Sequence, residues 1–260
     1  MIKFFKMHGL GNDYIFIDSV QNQNYLNYKE LAKIICKRNF GVGADGLIVI
    51  LKGQNCDAKM EIYNKDGSKA NLCGNATRCV AYYLFKKYKI KNPLIQSGKK
   101  LLKTKIISSN GKKAIVCVNM GKCEYEYSKT EQILNKNYKL NIFDIGNKHC
   151  VIFVDDFNFD YKKVAEYINK KLFQDGINVE FVKIINDTSI KIKVYERGSG
   201  ITLACGSGAC ASAFAYKFLF ENVLNNINVE LDGGFLKIIF NKNASLAMLG
   251  KCNYVFKGEF

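Results

Sequence analysis

Two segments of the chain, Asn75 to Phe85 (NATRCVAYYLF) and Gly208 to Phe220 (GACASAFAYKFLF), are apolar on nearly every face over a helical length. A helix without a polar stripe must be enclosed on all sides, so these segments predict two buried central helices. Elsewhere the pattern changes to period-two alternation or short continuous apolar runs, as in Lys59 to Tyr63, Ala114 to Val118, Ile190 to Tyr195 and Leu236 to Phe240. Such runs read as strands. Helical spacing from Leu31 to Arg38 and from Val164 to Lys171 predicts two further helices. Together these elements predict an α+β fold: mainly antiparallel sheets, each curled around one central buried helix.

The landmarks recur in order. Gly11-Asn12 followed by Ile15 to Asp18 returns as Gly146-Asn147 followed by Ile152 to Asp155. The turn Asp45-Gly46 with the apolar run Leu47 to Ile50 returns as Asp175-Gly176 with Ile177 to Ile184, Ile62-Tyr63 returns as Val194-Tyr195, and Cys73-Gly74 returns as Cys205-Gly206. Tyr63 and Tyr195, like Cys73 and Cys205, are 132 residues apart. The chain therefore reads as two pseudo-symmetric copies of one unit. Turn chemistry at SSNGKK, residues 108–113, sets the expected division: 1–112 as the first domain, with 250–260 returning to it, and 113–249 as the second.

Composition narrows the function. With 48% hydrophobic residues in 260, the chain can bury a sizeable core. No stretch approaches the roughly 20 apolar residues of a membrane span, and MIKFFKMHGLGNDY lacks a signal peptide's apolar core, so a cytoplasmic protein without a membrane partner is expected. Its ten cysteines are then free thiols rather than a disulfide framework. The formal charge of +16 comes from lysines spread along the whole length. A nucleic-acid stripe would interleave basic and aromatic residues, so a solvated basic surface is expected and nucleic acid is not. Only Arg38, Arg78 and Arg197 are arginine, which suggests that an arginine here has a geometric task such as bidentate contact with a carboxylate.

Cys73 and Cys205 each stand just before a predicted buried helix, followed by Gly-Asn or Gly-Ser. Unpaired helix-start N–H groups facing sulfur lower a thiol's pKa, and the same groups receive a carboxylate. Two such cysteines serving one carbon would titrate as a coupled pair, one thiolate and one thiol. That pair can invert a stereocentre, a base taking hydrogen from one face while an acid returns it to the other. Other readings compete. Buried cysteines are ordinarily small hydrophobes, the role expected of Cys36, Cys79, Cys117 and Cys210. The Cys73/Cys79 and Cys205/Cys210 spacings do not suit zinc, and a Cys-His hydrolase using His149 leaves the second repeated cysteine unexplained. GVGADG and CGSGAC are weak phosphate-loop signals.

The landmarks resemble those of the diaminopimelate epimerase family over essentially the whole chain. They are KMHGLGNDYIFID at 6–18, RNFGVGADGL at 38–47, YNKDGSKANLCGNATRC at 63–79, GNKHCV at 146–151, INVEFV at 177–182, YERGSGITLACGSGAC at 195–210, DGGFLKI at 232–238 and VFKGEF at 255–260. The resemblance implies interconversion of LL- and meso-diaminopimelate, in lysine and peptidoglycan-precursor biosynthesis, with no cofactor and no metal. It implies Cys73 and Cys205 as the catalytic pair, Cys205 accepting and Cys73 donating the proton in the LL-to-meso direction.

The resemblance also implies substrate contacts from Asn12, Asn64, Asn147, Asn178, Glu196 and Arg197, with Gly74-Asn75 and Gly206-Ser207 supplying backbone donors to the reacting carboxylate. The substrate is a zwitterion at both ends, which suits an arginine, a glutamate and neutral amides. For Glu196 and Arg197 the competing reading is a surface ion pair. His149 is expected to orient neighbours or assist one thiol, with Glu196 also in a supporting role; His8, Arg38 and Arg78 are expected to be structural, the arginines in ion pairs. Lys148 replaces a frequent proline, Gly46 stands where some members carry a glutamine, and LGKC at 249–252 replaces a usual Thr-Gly-Pro-Ala. Phe256 replaces a tyrosine of the dimer interface in some members, so a homodimer is allowed rather than required. Another two-cysteine racemase, or a non-catalytic protein of the same fold, are the alternatives.

Overall fold

The first apolar runs pair as a hairpin: β1 (Lys3–Gly9) and β2 (Asn12–Asp18) are antiparallel, with Phe5 opposite Phe16 and Gly9 opposite Asn12. Leu10 and Gly11 between them both take positive φ, 57° and 82°, as the tight primed hairpin turn requires. The computed structural model describes residues 1–19, 27–221 and 223–260. It divides into two compact units, Met1–Asn119 with Leu249–Phe260, and Met120–Met248.

In the first unit α1 (Tyr28–Ile35) starts where the Asn27 side chain accepts the Glu30 N–H at 3.2 Å. It crosses over to β3 (Gly46–Leu51), which runs parallel to β2. β4 (Ala58–Asn64) returns antiparallel to β3, and the short β5 (Lys69–Ala70) pairs with β4. The long helix α2 (Gly74–Tyr88) then crosses to β6 (Leu94–Ser97), parallel to β4, and β7 (Lys100–Asn110) and β8 (Lys113–Lys122) follow as antiparallel neighbours.

The second unit opens with β9 (Glu124–Ile133) and repeats that order: β10 (Lys136–Asp144), β11 (Lys148–Phe153), α3 (Tyr161–Tyr167), β12 (Asn178–Asn186), β13 (Ser189–Glu196), β14 (Gly200–Thr202), α4 (Gly206–Leu219), β15 (Asn226–Leu231) and β16 (Gly234–Phe240). β10–β11, β12–β13, β13–β14 and β15–β16 are antiparallel, while β11–β12 and β13–β15 are parallel. This is the sense of the corresponding pairs in the first unit. Asn253 to Glu259 of the last strand, β17 (Ser245–Glu259), pair antiparallel with β1.

The sheets are mainly antiparallel, as the alternation predicts, but each unit has two parallel pairs. They fall where a helix joins the strands, because a helical crossover brings the chain back in the same direction. The predicted helix at 164–171 begins earlier, at Tyr161, and its second half is a π-helical turn, Ile168–Leu172.

Each sheet lies between two helices. Leu31, Ala32 and Ile35 of α1 pack with Ile15, Ile17, Leu47 and Val49, and Val164, Ala165 and Ile168 pack with Cys150, Ile152, Val179 and Phe181. Alternation sends the intervening residues to the opposite face. There α4 touches β10, β11, β12, β13, β15 and β16, so the sheet wraps around it, and α2 meets β1, β6 and β7. Cys36, Cys79 and Cys210 are buried as expected, whereas Cys117 on β8 is only half-buried. Among the described residues, no helix is long and apolar enough to cross a membrane.

Phe16 is fully buried and stacks on Phe5 at 5.3 Å, whereas Phe235 is 66% exposed. Phe16→Ala should reduce stability by about 3–5 kcal/mol, through lost burial and a residual cavity. Phe235→Ala should change it by less than about 0.5 kcal/mol. Urea unfolding of the two variants checks the contrast.

Candidate active site

The two buried helices begin in the same way. Cys73 is extended, with φ −142° and ψ 107°, and its sulfur accepts the Ala76 N–H at 3.4 Å. Cys205 has φ −119° and ψ 116°, and its sulfur accepts the Gly208 N–H at 3.4 Å. Each cysteine is thus the N-cap of a helix whose first turns are enclosed, its sulfur at the positive end of the helix dipole. Gly74-Asn75 and Gly206-Ser207 supply the first helical residues. The first N–H groups of a helix lack partners within it and can receive an anion.

Around Cys73, the first unit gathers Asn12, Tyr14 and Asn75. The sulfur lies 3.4 Å from Tyr14 Oη and 3.7 Å from Asn12 Oδ1. Asn12 Oδ1 also accepts from Asn75 Nδ2 at 3.1 Å, and Asn12 Nδ2 donates to Asp45 at 2.9 Å. Arg78, fully buried one turn into α2, donates to Asn75 Oδ1 at 2.7 Å and to the Lys251 carbonyl at 3.3 Å. A side-chain chain from Arg78 through Asn75 to Asn12 therefore fixes the surroundings of the sulfur. Arg38 makes the expected ion pairs, 2.8 Å to both Asp13 and Asp45, and His8 Nδ1 accepts the Gly11 N–H at 3.2 Å. Asn64 bonds within its own turn, donating to Ser68 Oγ at 3.0 Å.

Around Cys205 the second unit places carboxylates instead. Glu196, half-buried at the end of β13, accepts from Thr202 Oγ1 at 2.5 Å across the β13–β14 hairpin. Burial first, with the neighbouring Glu180 carboxylate adding to it, raises the Glu196 pKa. Glu180 and His149 are completely buried, 2.7 Å apart. Asn178 ties the strand ends together, donating to the Lys148 carbonyl at 3.1 Å and accepting the Arg197 N–H at 3.0 Å. Asn147 Oδ1 is buried without a hydrogen-bond partner among the described residues. The exposed Arg197 makes no side-chain ion pair with Glu196, whose oxygen is bonded to Thr202.

The helix-start N–H expected to stabilise a thiolate is present at Cys205 but is outweighed. Burial, then the negative charges of Glu196 and Glu180, push the thiol well above its ordinary range, against the lowering effect of Ser207 and Gly208.

A family model described as diaminopimelate epimerase matches residues 4–126 and 142–255. The chain belongs to the diaminopimelate epimerase family. It is 38% identical to a diaminopimelate epimerase of Carboxydothermus hydrogenoformans, the match covering 100% of this chain and 99% of that protein. With a diaminopimelate epimerase of Methanococcus maripaludis it shares 37% identity, over 99% of each. The fold is shared more widely. A hydroxyproline epimerase of Agrobacterium vitis, solved with trans-4-hydroxy-L-proline, superimposes with a TM-score of 0.76 at 12% identity, over 99% of this chain and 91% of that one. A phenazine biosynthesis protein of Bacillus anthracis gives 0.74 at 14%, over 100% and 98%.

Sequence reasoning missed Tyr14, Arg78, Glu180 and Thr202 as neighbours of the candidate groups. A usable signal existed for Tyr14: it follows Asn12 by two residues, as His149 follows Asn147. Strand register confirms the equivalence, because Tyr14 pairs with Gly46 and His149 with Asn178, two positions 132 residues apart. Matching Ile15 with Ile152 by hydrophobicity had displaced this strand by two residues. A shift of two keeps every side chain on its own face, so an apolar pattern cannot reveal it.

Glu196→Gln removes a negative charge beside Cys205. The thiolate fraction at a given pH should then increase, moving the rate–pH profile for alkylation of Cys205 to lower pH. Alkylation at neutral pH, read at Cys205 by peptide mass spectrometry, should accelerate about tenfold.

Proposed function

We propose that this chain interconverts LL- and meso-diaminopimelate, as an isomerase using two thiols and neither pyridoxal phosphate nor a metal. The observation that carries the reading is the duplicated cysteine N-cap, Cys73 in one unit and Cys205 in the other, in a chain 38% identical over its full length to a protein of that name. The reaction supports lysine and peptidoglycan-precursor biosynthesis. A cytoplasmic location and a homodimer belong to the same proposal.

In this mechanism the thiolate form of one cysteine takes the α-hydrogen as a proton. The electron pair left on carbon spreads into the adjacent carboxylate, whose enolate character is stabilised by helix-start N–H groups of Gly74-Asn75 and Gly206-Ser207. The other cysteine, as thiol, gives its proton to the opposite face of the carbon, and the product leaves with inverted configuration. Burial and then the neighbouring Glu196 and Glu180 carboxylates raise the Cys205 pKa and favour its thiol form, which suits it to act as the acid. That is its role in the meso-to-LL direction; the LL-to-meso direction requires this proton to leave first.

Binding follows the substrate's two zwitterionic ends. Arg197 suits the distal carboxylate by its forked guanidinium, Glu196 suits an ammonium, and Asn12, Asn64, Asn147 and Asn178 suit either group. Asn147 is the clearest of the four, because its buried oxygen is unused within the described residues. Asn12 and Asn178 also hold neighbouring side chains and strand ends in place, so they shape the site while contributing to it.

The test is conversion of LL-diaminopimelate to the meso isomer by the purified protein in deuterated water, with proline and hydroxyproline as comparison substrates. Deuterium should enter at the inverted carbon. Cys73→Ala and Cys205→Ala should each reduce turnover by about 10²–10⁴-fold, the usual worth of an acid or base in place. Unchanged turnover in either variant refutes the two-thiol mechanism, and faster racemisation of proline refutes the substrate.

A further inference from the structure

β11 and β12 are parallel, with Val151 opposite Glu180, so His149 lies two residues back along the neighbouring strand on the same face as Glu180. Cys150, Ile152, Val179 and Phe181 fill the other face, toward α3. Glu180 meets the first turn of α4: a Cβ added at Gly208 would overlap Glu180 Oε1. Both Glu180 and His149 have side chains with no solvent exposure, and His149 Nδ1 lies 2.7 Å from Glu180 Oε1. Their outer atoms, His149 Nε2 and Glu180 Oε2, are buried without a hydrogen-bond partner among the described residues.

Desolvating a carboxylate is expensive, and this part of the fold does not need one. At the equivalent positions of the first copy, 132 residues earlier, stand Ile48 and Ala76 in place of Glu180 and Gly208. Isoleucine and alanine satisfy the packing there, and Ile48 is fully buried. The second copy has a carboxylate together with the glycine that makes room for it. The same two copies exchange Tyr14 for His149. The imidazole and the carboxylate are therefore paired departures from the repeat, in contact with each other.

We propose that Glu180 is a positioning residue for the epimerase reaction: it accepts the Nδ1–H of His149 and holds the imidazole in the tautomer that leaves Nε2 as its proton-accepting nitrogen. The inference rests on the reading of His149 as a supporting group for one of the thiols. An ionised carboxylate only accepts, so a neutral ring beside it carries its hydrogen on Nδ1. The opposite tautomer would bury an N–H donor without an acceptor at Nε2, a rarer and costlier arrangement than a buried lone pair. His8 has the reverse order, because its Nδ1 accepts the Gly11 N–H and its hydrogen must sit on Nε2. The chain's only two histidines are thus expected to be opposite tautomers.

Histidine-selective ¹⁵N labelling of the wild-type protein at neutral pH reads both rings, with His8→Gln assigning them. The expected spectrum has His149 protonated on Nδ1 and His8 on Nε2. Glu180→Gln, which keeps an acceptor, should retain the His149 tautomer and turnover within about tenfold. Glu180→Leu, which has none, should lose the single tautomer and lower kcat roughly 10–100-fold, the usual effect of removing the partner that orients a histidine, with KM changed by less than about threefold. A wild-type His149 protonated on Nε2 overturns the proposal, even if the leucine variant fails to fold. So does a leucine variant with unchanged kcat. If the wild type shows the expected tautomers but turns over no diaminopimelate, the epimerase reading fails while the Glu180–His149 geometry stands.

Discussion

A helix that is apolar on every side has to be wrapped, and in this protein that constraint acts twice. α2 from Gly74 to Leu84 and α4 from Gly206 to Tyr216 are largely buried, with their last turns partly exposed, so the sheet of each unit bends around its helix. Enclosure occupies the helix sides and leaves the ends as the places where polar groups can gather. At the N-terminal end the chain enters from a strand hairpin with a cysteine in extended conformation, its sulfur capping the first turn. The position of each thiol is therefore a consequence of burying the helix behind it.

What surrounds each thiol is not duplicated. In the first unit the sulfur meets a phenol and an amide, and a buried arginine steadies the amide through Asn75. In the second unit it meets Ser207 Oγ at 3.5 Å and feels the charge of two carboxylates, one of them paired with a buried imidazole. A common fold thus supports two electrostatic environments, and the pKa of a thiol follows its environment more than the helix beneath it. At Cys205 burial and like charge overcome the dipole.

The buried polar groups divide by role. Arg78 and the pair Asn12–Asn75 are satisfied within their own unit, as buried polar groups ordinarily are. Asn147 Oδ1, His149 Nε2 and Glu180 Oε2 are not satisfied among the described residues. All three lie in the unit that carries Glu196 and Cys205. The fourth such atom, Ser212 Oγ on α4, lies in the same unit.

The amino-acid sequence by itself determined the repeat, the two buried helices and the cysteines at their starts, because hydrophobic period and helix-start residues are local properties. It also determined the family, through motifs spread over the whole chain. The parallel pairing of β2 with β3 and β11 with β12, the two-residue register that sets Tyr14 against His149, and the neighbours Arg78, Glu180 and Thr202 were decided only in three dimensions. Strand direction depends on where a crossover returns, and a period-two pattern cannot report register shifts of two. Nor can sequence reveal that Glu180, flanked by Val179 and Phe181, faces inward beside a histidine distant along the chain. Whether a thiol's pKa is raised or lowered depends on that through-space company, and so the upward shift at Cys205 follows from the folded protein alone.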